Sequence, residues 1–124
     1  MGVNVVVLEK DARVARSLAG KLSSHFHAVH LTRSRDEFRH RVAEKRPEVV
    51  VVDVEYSRLT DVRSLHADFP TLPIVCTHRI ADENLWIEAM EAGASDVCRS
   101  DDVQNVLTSV LRSVGSAKAA AYNN

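Results

Sequence analysis

Residues 48–53 read Glu-Val-Val-Val-Val-Asp, and this stretch decides how the whole chain can fold. Four successive β-branched residues favour an extended conformation, and a strand with no polar alternation is typical of one whose two faces are both buried. Residues 3–8, Val-Asn-Val-Val-Val-Leu, have the same character. Because only the central strands of a parallel sheet bury both faces, we predict that these two strands lie in the middle of such a sheet.

Outward from these two strands, strand-like and helix-like segments alternate along the chain. The remaining predicted strands cover residues 27–32, 73–77 and 95–99, and the predicted helices cover residues 11–24, 35–46, 61–68, 82–92 and 101–114. We expect Ser100 to cap the last helix and Trp86 to join the core. We expect the two cysteines, Cys76 and Cys98, to be small buried hydrophobes in adjacent strands. The alternation predicts a doubly wound parallel α/β sheet with helices on both faces.

Length and composition limit the possible classes of protein. The 124 residues, 45% apolar and 27% charged, fit one globular domain. We assign it to residues 1–114 and expect residues 115–124, rich in Ala, Ser and Asn, to form a frayed tail. A net charge of -1 argues against nucleic acid as a partner, and no apolar run approaches the length of a membrane span. The absence of a signal peptide and the two unpaired cysteines lead us to expect a cytoplasmic protein without a membrane partner.

The candidate site lies where the strands end. Open parallel sheets bind ligands at the carboxyl ends of their strands, near the point where the strand order reverses. The residues that stand at or just past these ends are Glu9, Lys10, Asp53, Thr77, His78, Arg99 and Ser100.

Two motifs connect this pattern to a known family. Residues 50–53 read Val-Val-Val-Asp and residues 91–96 read Glu-Ala-Gly-Ala-Ser-Asp. Over about residues 3–114 the chain resembles the receiver domain of bacterial two-component response regulators. The resemblance implies a CheY-like, flavodoxin-like (βα)5 fold with strand order 2-1-3-4-5. It also implies a phosphorelay role, in which Asp53 accepts a phosphoryl group from a sensor histidine kinase or phosphotransfer protein and the domain then signals to a downstream protein partner. We do not expect an enzyme.

The resemblance further implies a Mg²⁺ site formed by Glu9, Asp53 and the backbone carbonyl of Glu55. The family has a pair of acidic residues after the first strand, and here Lys10 replaces the second of them. Because an ammonium group removes a ligand and repels the cation, we expect weak Mg²⁺ binding. We also hypothesise that Lys10 points at Asp53 and partly replaces the charge of the metal.

Two other family positions carry unexpected residues. The family's hydroxyl residue falls fifteen residues before Gly93, at His78, with Thr77 one residue earlier. Its lysine falls seven residues after that glycine, at Ser100, with Arg99 adjacent. A shift of one residue would bring Thr77 and Arg99 into these positions, where an arginine can bind phosphate through two hydrogen bonds.

Two alternative functions remain open at this point. A pseudo-receiver would have the same fold but bind its partners without phosphorylation. A small flavodoxin-like enzyme or nucleotide-binding protein would need a glycine-rich phosphate loop after the first strand, and residues 9–12, Glu-Lys-Asp-Ala, contain no glycine.

Overall fold

The fold alternates strands and helices over the whole described chain. The computed structural model describes the backbone of residues 4–122 and the side chains of residues 4–117. Its elements are β1 Asn4–Leu8, α1 Ala12–Leu22, β2 Ala28–Thr32, α2 Arg35–Lys45, β3 Val49–Asp53, α3 Leu59–Asp68, β4 Ile74–His78, α4 Glu83–Ala92, β5 Asp96–Arg99 and α5 Val103–Tyr122. All neighbouring strands are parallel and their order is β2-β1-β3-β4-β5. The predicted α/β class and strand order are confirmed.

The two valine-rich strands form the centre of the sheet, as predicted. They pair directly, with Val5 opposite Val49, and residues 5–8 and 49–52 are all buried. Alternate residues face opposite sides of the sheet. Val6 and Val50 pack with side chains of α2, α3 and α4, whereas Val5 and Val51 pack with those of α1 and α5. Both faces of the sheet are therefore covered by helices, and the ends of the strands are where a binding site can form.

The cysteines lie in adjacent strands, and both are buried. Cys76 packs into the cluster on one side of the sheet and Cys98 into the cluster on the other. Burial raises the pKa of the Cys76 thiol to about 12, and burial also raises the pKa of Cys98. Both thiols are therefore protonated at neutral pH.

Three local expectations were wrong. Asp102, and not Ser100, caps α5, and its carboxylate accepts a hydrogen bond from Asn105 N at 3.1 Å. Asp102 directly precedes the first residue of the helix, and its negative charge is favourable at a helix N-terminus. Trp86 is 46% exposed, because its position on α4 is turned away from Ala89, which faces the core. Helix α3 starts at Leu59, two residues before the predicted start at residue 61.

The last helix is longer than the sequence suggested. α5 continues to Tyr122, past its predicted end at residue 114. The added segment is rich in alanine, which has the highest helix propensity, and this outweighs the single Gly115. The division of the chain into residues 1–114 and 115–124 stays a prediction.

Val3, the first residue of the predicted first strand, lies outside the described residues. Within the part of the chain that is described, no helix combines the length and the apolar character needed to cross a bilayer.

We predict opposite effects for two glycine-to-alanine substitutions. Gly93 has a φ of 111°, and an added Cβ would lie 2.4 Å from His66 Cγ on α3. Gly93→Ala should therefore lower the free energy of unfolding by about 2–4 kcal/mol. Gly20, inside α1, has no atom within 4 Å of an added Cβ, so Gly20→Ala should raise it by about 0.5–1 kcal/mol. Urea unfolding of both variants tests this, and equal effects would contradict it.

Candidate functional site

The end of β3 brings Asp53 to the centre of the carboxyl edge of the sheet. Asp53 is the last residue of the strand and is only 4% exposed. Since β1 and β4 flank β3, the segments that follow all three strands meet around it. They enclose an open cleft of about 810 Å³. Its lining residues are Glu9, Lys10, Asp11, Val14, Asp53, Glu55, Tyr56, Arg79, Arg99, Ser100 and Asp101.

Glu9 and Asp53 form a pair of neighbouring carboxyl groups at the base of this cleft. The pKa of Glu9 is raised to about 7, mainly by burial and also by the charge of the Asp53 carboxylate and a hydrogen bond between the two groups. A hydrogen bond of 3.1 Å from Asp11 N to Glu9 Oε2 opposes this shift without cancelling it. Glu9 therefore keeps its proton to a higher pH than an ordinary carboxyl group, because burial and a neighbouring carboxylate both disfavour its charged form.

The loop after β3 holds Asp53 from the other side. Glu55 N donates a hydrogen bond of 2.9 Å to Asp53 Oδ1, and Ser57 N donates one of 2.9 Å to the Asp53 carbonyl. Ser57 Oγ in turn donates to Asp61 Oδ2 at 2.9 Å, at the start of α3. The orientation of the Asp53 carboxylate is thus fixed by backbone donors before any ligand is bound.

Lys10 does not adopt the position that the sequence suggested. Its Nζ lies over the ring of Tyr56, 5.5 Å from the centroid. None of the ion pairs found among the described residues joins Lys10 to Asp53 or Glu9. The structure does not confirm the hypothesis that Lys10 points at Asp53. The aromatic face of Tyr56 attracts the ammonium group instead.

The two candidate residues of β4 lie beside the cleft and do not line it. Thr77 pairs in register with Asp53 and is buried, and its Oγ1 has no hydrogen-bond partner among the described residues. The ring of His78 is held by the following turn, in which Ile80 N donates to His78 Nδ1 at 2.9 Å. Its Nε2 lies 4.0 Å from Glu55 Oε1. Their assignment to the site stays a prediction.

The two candidate residues after β5 do reach the cleft. Arg99 lines it and donates a hydrogen bond of 2.8 Å to Asp101 Oδ2. Ser100 is buried, and its backbone N donates to the His78 carbonyl at 3.1 Å. Six residues were predicted to act at the site: Lys10, Asp53, Thr77, His78, Arg99 and Ser100. The structure brings four of them, Lys10, Asp53, Arg99 and Ser100, to one cleft.

Arg79 is a site residue that the sequence analysis missed. Its Nε donates a hydrogen bond of 2.8 Å to Glu55 Oε1, and its backbone N donates to Glu55 Oε2 at 3.4 Å. Burial tends to raise the pKa of Glu55, but the hydrogen bonds from Arg79 outweigh burial and hold this pKa below its ordinary value. The hydrogen bond to Glu55 raises the pKa of Arg79, and the charge of Asp53 contributes to the same shift. Its position directly after the fourth strand was the available signal, because Arg79 follows His78.

The oxygen atoms at the base of the cleft suit a hard cation. Glu9 and Asp53 supply two carboxyl groups, and the Glu55 backbone lies beside them. Such a cation would offset the burial of these two carboxyl groups and the repulsion between them, which together raise the pKa of Glu9. No group of three or more His, Cys, Asp or Glu side chains arranged for a metal occurs within the described residues. Mg²⁺, which keeps several waters and needs few protein ligands, fits this small donor set.

Comparison with known proteins identifies the fold. No protein family model matches the sequence, and no curated protein matches it. Among solved structures, a receiver domain of a response regulator from Bacteroides fragilis is 23% identical, with a TM-score of 0.83 over 92% of this chain and 98% of its own. A CheY-like receiver domain from Methanospirillum hungatei is 10% identical, with a TM-score of 0.85 over 96% of this chain and 98% of its own.

A longer protein contains the same fold as one part. NtrX from Brucella abortus is 19% identical, with a TM-score of 0.83, and the match covers 98% of this chain and 28% of the NtrX chain. The chain thus spans about a quarter of NtrX and nearly all of the two isolated receiver domains. Together these likenesses show that the chain has the fold of response regulator receiver domains, as the sequence motifs predicted.

The raised pKa of Glu9 makes the stability of the protein depend on pH. Below pH 4.5, the ordinary pKa, Glu9 is protonated in the folded and the unfolded chain; up to about pH 7 only the folded chain keeps the proton. The free energy of unfolding should therefore fall as pH rises through this interval. We predict that the change in the free energy of unfolding caused by Glu9→Gln is more stabilising at pH 8 than at pH 4, by on the order of 2 kcal/mol. Urea unfolding in EDTA measures it.

The exposed Glu88 of α4 supplies the matched control. Glu88→Gln should change stability by nearly the same amount at both pH values. If Glu9→Gln behaves in the same way, Glu9 does not hold a proton in the folded protein.

Proposed function

We propose that this chain is a phosphoacceptor receiver domain of a two-component phosphorelay, and that Asp53 accepts the phosphoryl group. The observation that carries the proposal is the place of Asp53: it ends a central strand, is fixed by a backbone N–H group, and faces an open cleft beside a second carboxyl group. The receiver fold of the structural neighbours supports the same function.

The reaction at Asp53 is an in-line transfer. A carboxylate oxygen of Asp53 attacks the phosphorus of the donor and forms an O–P bond, while the bond from phosphorus to the leaving group breaks. The leaving group, the imidazole of a phosphohistidine or the carboxylate of an acyl phosphate, departs with its electron pair. Mg²⁺ held by Glu9, Asp53 and the Glu55 carbonyl would neutralise the phosphoryl oxygens during this transfer.

The residues of the chain prepare this reaction in two ways. The Glu55 N–H group occupies Asp53 Oδ1 and so directs the remaining lone pairs of the carboxylate at the cleft. Glu9 holds a proton near neutral pH when no cation is present, which limits the negative charge that an approaching anion meets. The protein partners that follow from the proposal are a histidine kinase or phosphotransfer protein as donor and a downstream protein as recipient of the signal.

We predict that the protein gains one phosphoryl group when it is incubated with Mg²⁺ and acetyl phosphate. Intact mass spectrometry detects the gain, and Asp53→Ala should abolish it, since Asp53 is the carboxylate at the end of β3. Asp36→Ala, which changes an exposed carboxylate in the first turn of α2, is the control and should still be labelled. An unlabelled wild-type protein would instead support the pseudo-receiver, and labelling that survives in Asp53→Ala would place the phosphoryl group elsewhere.

We predict that Lys10→Asp strengthens Mg²⁺ binding and speeds labelling of Asp53. The ammonium of Lys10 lines the cleft, and an acid at this position would add a ligand and remove a repelling charge. Replacing one unit charge by its opposite near the cation should increase the affinity on the order of tenfold. Lys21→Asp, an equal charge change on the distant end of α1, is the control. Equal Mg²⁺ titrations for wild type and Lys10→Asp would show that Lys10 does not weaken the site.

A further inference from the structure

Phosphorylation of Asp53 creates a charge problem in this cleft. An aspartyl phosphate carries roughly two negative charges near neutral pH, and it would lie beside Glu9. Ser100, which stands where receiver domains have a lysine, supplies no charge. The cationic side chains among the described lining residues are Lys10, Arg79 and Arg99. Lys10 is directed at the ring of Tyr56, so one of the two arginines is the better candidate.

Arg79 and Asp53 both form hydrogen bonds with the same residue, Glu55. Glu55 N donates to Asp53 Oδ1 at 2.9 Å, and the carboxylate of the same Glu55 accepts from Arg79 Nε at 2.8 Å. This contact uses one of the five guanidinium N–H donors. The two terminal amino groups of Arg79 donate to no acceptor found in the described part of the protein. They are the donors that bind two oxygens of one phosphoryl group.

Arg99 lacks such a connection. Its Nη2 donates to Asp101 Oδ2 at 2.8 Å, two residues along the same loop. No hydrogen bond between described residues links Arg99 or Asp101 to Asp53. Arg79 is therefore the arginine that is anchored next to the phosphoacceptor.

We propose that Arg79, anchored by Glu55, binds the phosphoryl oxygens at Asp53 and supplies the positive charge that Ser100 cannot. This rests on the proposed function. Arg79 is 80% exposed, so it can meet the donor before transfer as well as hold the product. Glu55 acts as a positioning residue, since it fixes the guanidinium through Nε and leaves the terminal amino groups for the ligand.

The first test is the rate of phosphorylation by acetyl phosphate with Mg²⁺, followed by intact mass. Arg79→Ala should label on the order of tenfold more slowly, which corresponds to the loss of a charge-assisted hydrogen-bonded pair. Arg79→Lys keeps the charge but loses the paired donors, and it should recover part of the rate. Arg41→Ala, which removes a surface arginine paired with Glu44 on α2, is the matched control and should label at the wild-type rate. A rate within twofold of wild type for Arg79→Ala, or a larger loss for Arg99→Ala, overturns the proposal.

The second test separates the proposal from the function on which it rests. Asp53→Asn cannot be phosphorylated but keeps the cleft, so it reports binding without transfer. Titration of this variant with inorganic phosphate should shift the Arg79 Nε–Hε resonance in NMR spectra and leave that of Arg41 in place. If phosphate shifts the Arg79 resonance in Asp53→Asn but the wild-type protein is never phosphorylated, the phosphoacceptor function is refuted and the anion site at Arg79 stands. An unmoved Arg79 resonance overturns the site, whatever the labelling shows.

Discussion

The burial of both faces of β1 and β3 is the constraint on which the rest of the structure depends. Strands made almost entirely of valine have no polar face to turn to water, so both must be covered by helices. Parallel strands then require crossover connections, and right-handed crossovers place helices on both sides of the sheet. The candidate functional residues lie at the carboxyl edge of this sheet, around Asp53.

At that edge, the order of the strands determines which residues can act together. β1 and β4 flank β3, so Glu9 and Arg79 reach the surroundings of Asp53 although they are far apart in sequence. Burial at this edge raises the pKa of Glu9, and the neighbouring Asp53 carboxylate adds to the shift by electrostatic repulsion. A proton on Glu9 relieves this repulsion, and a bound cation would relieve it in the same way.

The sequence was sufficient for the fold. Uniform valine runs, helical stripes and the turn at Gly93 depend on local physics, and all ten predicted elements occur, although α3 begins earlier and α5 ends later than predicted. The strand order, which the family resemblance implied, is confirmed. The sequence was less informative about side-chain direction. Lys10 was expected to meet Asp53 because charges attract, but the protonation of Glu9 and the position of the Tyr56 ring depend on tertiary contacts. Arg79 was missed for the same reason, since its link to Asp53 passes through Glu55 and exists only in three dimensions.

The opposite placement of the two cysteines has a practical consequence. Cys76 and Cys98 lie on different sides of the sheet, so the sheet itself separates their sulfur atoms and prevents a bond between them. Both thiols are also buried and protonated, whereas alkylating reagents attack exposed thiolates. A fluorophore or spin label can therefore be attached at a newly introduced surface cysteine without first removing the native ones, and distance changes between helices can be followed in the otherwise unaltered chain.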